Sequence, residues 1–264
     1  MKTVKTPALL GAGTILLLAG AVRVCAQTPA GYDIMKLAGD RYTGDTAGYN
    51  LTMTLESGRG APRVRELTYY FKDYGDTEKV FMIFKTPRDV AGTKYLSFSY
   101  DDDRDDDVWL YLPAMQRVRR VSGSGKNDDF MGTDFTYEDM GSRNLNKDTF
   151  SLRGEETLNG EPCWVVEARA KDRRDPYGRR VIWVRKDSYV INAVDYYDRQ
   201  DRLLKELRVS GIRRIDGIWT ALRMEMTNVR NRHSTVIEMS GIRFNIPLDD
   251  SLFAVTSLDR GNTP

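Results

Sequence analysis

Histidine is almost missing from this chain of 264 residues: His233 is the sole one, and cysteine is limited to Cys25 and Cys163. Metal centres need several ligands and catalytic triads need an oriented base, so zinc, haem, thiol and Ser-His chemistry have almost no candidates. His233, in "NVRNRHSTV", reads as a solvated residue at a hairpin end. No Gly-x-Ser-x-Gly elbow accompanies it. The glycine-serine loop "VSGSGKND" is not a P-loop, because Arg120 and Asn127 stand where that motif needs a glycine and a Ser or Thr. The densest charge run, "YDDDRDDDVW", lacks the glycine and the terminal glutamate of a calcium loop. It reads as a self-repelling, solvated hairpin tip, with calcium as the alternative. Acidic residues are abundant, but nothing singles out a pair for glycoside hydrolysis. The expectation is a protein that is not an enzyme and uses no cofactor and no metal.

Long apolar runs are also scarce. The one at the N-terminus, Ala8 to Val22, follows Lys2 and Lys5 and leads into Val24-Cys25-Ala26. This is the anatomy of a secretory signal peptide over residues 1–26. A spanning helix needs roughly 20 apolar residues, so a retained anchor is the lesser alternative. Lipid attachment at Cys25 is disfavoured, because Val24 stands where a small residue should precede the cysteine. Cleavage after Ala26 leaves 238 residues carrying 37 basic and 38 acidic side chains. That balance excludes an excess of one sign, and with it any electrostatic reason to expect nucleic acid or an anionic membrane as the main partner. It also leaves Cys163 alone, without an intramolecular disulfide, in the apolar setting "EPCWVVEA" of a buried free thiol.

What remains is dominated by period two. "YDIMKLAGDRY" places Ile34, Leu37, Ala38 and Tyr42 on one helical face, with Asp33 as a cap. From about Asn50 the alternation is that of strands, beginning with Leu51, Met53 and Leu55 against Thr52, Thr54 and Glu56. The same pattern recurs through "RVRELTYYFKD", "EKVFMIFKTP", "KYLSFSYD", "DVWLYLP", "CWVVEARAKD", "RRVIWVRKD" and onward to "STVIEMSGIRF". Asn159-Gly160 and Asp216-Gly217 are the strongest hairpin signals, since a type I′ turn needs positive φ at both central positions. No linker divides the chain, so residues 27–264 are expected to form a single domain. Roughly eleven antiparallel strands cannot stay flat, because accumulated twist makes such a sheet curl. The fold class is therefore mainly β with covering helices: one large curled sheet forming an unclosed half-barrel.

Several strands are apolar on both faces. "VFMIF" and "VWLYL" lack clean alternation, which suits strands facing an interior on one side and a helix or partner on the other. Met53, Met82, Met224 and Met226 occupy strand positions where β-branched residues are usual. Flexible thioethers suit a cavity that accepts varied apolar shapes, and equally serve as ordinary core filler. Leu222, Met224 and Met226 share one face of their strand.

The stretch "DDVWLYLPAMQRVRRVSGSGKNDDFMGTDFTYEDM" resembles the central signature of the outer-membrane lipoprotein-sorting family, the LolA/LolB-like periplasmic proteins found with RND/MMPL-type exporters. There a Trp-Leu-Tyr-Leu-Pro strand leads into an Arg-rich turn, a Gly-Ser loop and a Phe-Met-Gly-(Ser/Thr)-Asp-Phe segment. The order of helix, strands, inserted helix, strands and a short "IPLDDSLF" ending also agrees. The resemblance implies a periplasmic monomer that carries lipid or lipoprotein acyl chains under a helical lid. An inner-membrane RND/MMPL-type exporter is the implied protein partner. On that reading the apolar cavity is lined by Leu51, Met53, Leu55, Phe81, Ile83, Trp109, Tyr111, Trp164, Val166, Leu222, Met224 and Met226. Phe130, Met131, Phe135, Tyr137 and Met140 form a lid or plug. Arg117 to Lys126 is a mobile connection. The alternative is a non-carrying adaptor or sensor subunit of the exporter complex, which would use Arg117, Arg119 and the signature loop as its docking surface.

Overall fold

The computed structural model describes residues 29–58 and 60–259. The expected signal peptide lies outside the described residues. One α-helix, α1 (Gly31–Gly39), precedes fifteen strands. They are β1 (Thr46–Glu56), β2 (Arg63–Asp73), β3 (Thr77–Thr86), β4 (Lys94–Tyr100), β5 (Asp107–Leu112), β6 (Arg117–Val121), β7 (Asp148–Leu158) and β8 (Glu161–Ala170). Then follow β9 (Arg179–Arg185), β10 (Ile191–Tyr197), β11 (Leu203–Ser210), β12 (Arg213–Ile215), β13 (Ile218–Thr220), β14 (Arg223–Asn228) and β15 (His233–Phe244).

Thirteen strands form one antiparallel sheet in the order β6-β5-β4-β3-β2-β1-β15-β14-β11-β10-β9-β8-β7, while β12 and β13 make a separate hairpin. The turns at Asn159-Gly160 and Asp216-Gly217 have positive φ at both residues, as their sequence requires. Strands β6 and β7 are neighbours in the chain but stand at opposite edges. The sheet is therefore not closed, and residues 122–147 must cross from one edge to the other. The crossover is tied to the β4–β5 turn on its way: Asn144 Nδ2 donates to the Asp102 carbonyl at 2.6 Å and Asn146 Nδ2 to Asp103 Oδ1 at 2.9 Å. The aspartate-rich hairpin is exposed, as expected, yet it also holds the crossover segment just before β7.

Alternation along each strand sorts the apolar residues into two clusters on opposite faces. Met82 and Phe84 belong to the large cluster on the face spanned by the crossover, called here the inner face. Phe81 and Ile83, one residue out of phase, belong to a smaller cluster on the outer face. Leu252, Phe253 and Leu258 of the C-terminal segment cover that outer cluster. This explains why "VFMIF" is apolar throughout: both faces of β3 are buried.

Three local expectations are corrected. Ala30, and not Asp33, occupies the N-cap of α1; Asp33 sits in the first turn and its carboxylate accepts the Ala30 N–H at 3.3 Å. The helix lies so close to β7 that a Cβ on Gly31 would come within 2.8 Å of the Ser151 backbone. The second covering helix is replaced by a series of short 3-10 turns between Gly123 and Lys147. A regular helix is excluded there because Met131 and Gly132 adopt positive φ. Finally, Arg117–Val121, the first half of the expected mobile connection, is the edge strand β6 paired to β5.

Candidate functional site: the inner face and its crossover

The inner face is a continuous apolar floor whose rows run from strand to strand. Leu51 pairs with Leu67 and Met239, and Met53 with Ile237, which in turn faces Met224. Met226 faces Leu207, and Val166 lies between Leu152 and Ile182. Of the expected cavity residues, Leu51, Met53, Leu55, Val166 and Met226 are buried in this cluster, with Trp164 and Met224 packed against it. Leu222 lies just before β14, half-buried and outside this cluster; its carbonyl accepts the Met239 N–H at 2.9 Å. Phe81, Ile83, Trp109 and Tyr111 are not part of the inner face. They contribute to the outer cluster under the C-terminal segment, because side chains one residue apart on a strand point oppositely. Their inner-face counterparts, which sequence reasoning missed, are Met82, Phe84, Val108 and Leu110. In strands apolar on both faces, alternation carries no signal that separates the two sets.

The crossover lays its own aromatic residues on this floor. Phe130 has no exposed surface; its ring lies 5.4 Å from Tyr95, 5.4 Å from Tyr137 and 6.1 Å from Phe84. Phe135 is buried beside it, and Met131, Tyr137 and Met140 pack against the same cluster. The inner face is thus occupied by the chain's own side chains.

Polar contacts fasten the crossover at several points. Arg65, buried on β2, donates through Nη1 to the Met131 carbonyl. Thr133 Oγ1 donates to the Phe130 carbonyl at 2.7 Å, and the Asp134 N–H donates to Thr235 Oγ1 at 3.0 Å. The Asp134 carboxylate accepts from Thr235 Oγ1 at 2.7 Å and lies 2.7 Å from His233 Nδ1, while Lys205 Nζ donates to the Asp134 carbonyl at 2.6 Å. His233 is therefore part of a partly buried clasp and not the solvated residue expected. Its sequence neighbourhood could not reveal a partner 99 residues away.

Further along, Thr136 and Asp139 cap one another reciprocally, and Tyr177 donates to Asp139 Oδ2 at 3.0 Å. Arg143 then binds the buried Asp148 at 2.5 Å and the half-buried Asp175 at 2.7 Å. Those acids hold the Arg143 guanidinium above its ordinary range against the opposing effect of burial. Arg180 joins the network 3.3 Å from Asp175. By contrast, Lys126 of the glycine-serine loop is buried and its Nζ has no hydrogen-bond partner among the described residues.

Arg117 and Arg119 are exposed on β6. Arg119 lines a pocket of about 190 Å³ together with Leu110, Asp128 and Tyr137, whereas Arg117 stands at the far end of the strand. Cys163 is fully buried, and desolvation pushes its thiol pKa up, so the expected inert packing role fits its surroundings. Among the described residues, no group of three His, Cys, Asp or Glu side chains could hold a metal ion, and no helix is long and apolar enough to cross a membrane.

An unclosed antiparallel sheet with its inner face bridged by an edge-to-edge crossover is the LolA-like fold. A LolA superfamily protein from Nitrosomonas europaea shares it, with a TM-score of 0.66 at 18% identity over 87% of this chain and 99% of that one. Two solved structures are nearer. A DUF1329 family protein from Desulfovibrio piger has a TM-score of 0.82 and 37% identity, covering 86% of this chain and 97% of that one. An outer membrane lipoprotein-sorting protein domain from Vibrio parahaemolyticus also has a TM-score of 0.82, with 33% identity over 87% of this chain and 98% of its own. A family model described as "Uncharacterized protein" matches residues 76–260, and a comparison with curated proteins returned no match. The chain belongs to the DUF1329 family.

Proposed function

We propose that this protein is a periplasmic carrier, a single domain after signal-peptide removal, that takes a lipid or the acyl chains of a lipoprotein onto its inner face. The observation that carries the reading is Phe130, held by the crossover on an apolar floor of aliphatic and methionine side chains. A ligand would displace the Phe130 plug and inherit its contacts. Similarity to a lipoprotein-sorting domain at 33% identity supports the same direction. Each acyl methylene withdrawn from water contributes about 0.8 kcal/mol, so a chain of ordinary length can compete with one phenyl ring and its neighbours. No covalent step is needed. Loading is an exchange of apolar contacts, and release follows when the crossover returns or a partner offers a better surface.

Native mass spectrometry of protein purified from a periplasmic extract tests this. Bound lipid, released as Phe130 reseats, is the expected result. Protein that is always empty and excludes fluorescent fatty acids would sink the proposal. The filled inner face favours one other reading, a non-enzymatic adaptor or sensor subunit of an RND/MMPL-type exporter. Cross-linking to such an exporter by a protein that takes up no lipid would decide for it.

A further inference from the structure

The near-neutral charge balance conceals a separation of charge between the two ends of the sheet. Antiparallel pairing puts the β5–β6, β3–β4, β1–β2 and β14–β15 turns at one end, side by side along the order β6-β5-β4-β3-β2-β1-β15-β14. These turns present exposed Arg117, Lys85, Arg88, Arg63 and Arg232. None of the five makes an ion pair among the described residues, whereas Arg230 beside them is held by Asp198 at 2.6 Å. The exposed acids of the same rim are fewer: Glu56, Glu66 and Asp89. The opposite end carries the aspartate-rich hairpin, with Asp101, Asp102, Asp103 and Asp105 all exposed around Arg104, which pairs with Asp102; Arg213 and Arg214 of the β12–β13 hairpin are exposed at this end too.

The basic rim also holds exposed apolar side chains at its tips. Met115 is 70% exposed, Val64 46% and Val229 41%, and each sits within three residues of one of the unpaired arginines. At the usual strand spacing, eight strands spread these tips over roughly 35 Å along the curl. A single acidic peptide would have to span that whole arc, with separate pockets for each tip. A bilayer needs neither: its headgroups accept the arginines and its interfacial layer accepts the spaced apolar tips.

We infer that this rim docks on the surface of an anionic phospholipid bilayer. The inference rests on exposure and charge, and it holds whether or not the inner face takes a lipid. Vesicle flotation tests it, with phosphatidylcholine vesicles compared with vesicles containing phosphatidylglycerol. The protein should float with the anionic vesicles, stay behind with the neutral ones, and be released by high salt. Each basic residue near such a surface changes partitioning about fivefold, so R63Q/R117Q should weaken it about twenty-five-fold. R213Q/R214Q removes the same charge from exposed positions at the opposite end and should leave flotation unchanged. M115S should weaken binding to anionic vesicles without altering its salt dependence. Every variant carries the same N-terminus, so a contribution from that segment cancels, and circular dichroism confirms that each variant is folded. Equal flotation with both vesicle types, equal losses in the two double variants, or capture by an acidic polypeptide in place of vesicles would overturn the inference.

Discussion

Phe130 concentrates the behaviour of the inner face in one side chain. It is fully buried and touches aromatic rings on three sides, so its removal should leave a cavity that the strands cannot fill by collapse. Phe130→Ala is expected to lower stability by about 3–5 kcal/mol in urea unfolding. It should also increase uptake of fluorescent fatty acid, because the site a ligand must clear is already empty. A variant that loses stability without gaining uptake would argue that Phe130 is ordinary core.

Tyr69 supplies a pH signature of this face. Its ring stacks on Tyr49 at 4.4 Å, and burial pushes its hydroxyl up to about 12 from the usual value near 10. The folded protein thus holds the proton more tightly than the unfolded chain. Its contribution is fully present below pH 10 and is lost as pH rises through about 12. Tyr69→Phe should flatten the fall in stability over that window, measured by thermal melts at stepped alkaline pH.

Among elements, the crossover stands apart because side-chain anchors hold it where neighbouring strands would hold a sheet segment. Arg65, Lys205, Thr235 and the Arg143 pair of acids together substitute for strand pairing. Displacing such a segment would break no strand pairing of the sheet. Arg143→Met would strand Asp148, whose side chain is 2% exposed, and Asp175 with Arg180 as their remaining partner. Breaking a buried pair in this way costs about 3–5 kcal/mol, and the loss should fall on the crossover first. Hydrogen exchange should therefore quicken over residues 122–147 before it quickens in β1 or β8. Uniform acceleration across the sheet would show that the anchor belongs to the global fold.

At the scale of the whole molecule, a sheet buried on both faces needs two covers. The crossover serves the inner face, and the C-terminal segment serves the outer one, where Leu252, Phe253 and Leu258 close over Phe81, Ile83 and Leu96. Ending the chain after Asn245 would expose that outer cluster. The truncated protein is expected to bind a hydrophobic dye and to aggregate; a soluble, cooperatively melting product would show the second cover to be dispensable. The charge separation belongs to this scale as well. It arises because turns of alternate hairpins gather at alternate ends of the sheet, so residues scattered from Arg63 to Arg232 share one rim.

Much of this was legible in the residues. Period-two alternation located the strands, the Asn-Gly and Asp-Gly pairs marked their hairpins, and the Trp109 to Met140 stretch carried the family resemblance. Those signals are local, because backbone geometry links a strand or a turn to its immediate neighbours in sequence. Tertiary structure alone decided which face of "VFMIF" and "VWLYL" meets the crossover, since both faces are apolar and only the placement of two covers distinguishes them. It also decided that His233 clasps Asp134, and that a near-neutral chain has a basic rim. These depend on distances between residues far apart in sequence, which folding sets and no local pattern encodes.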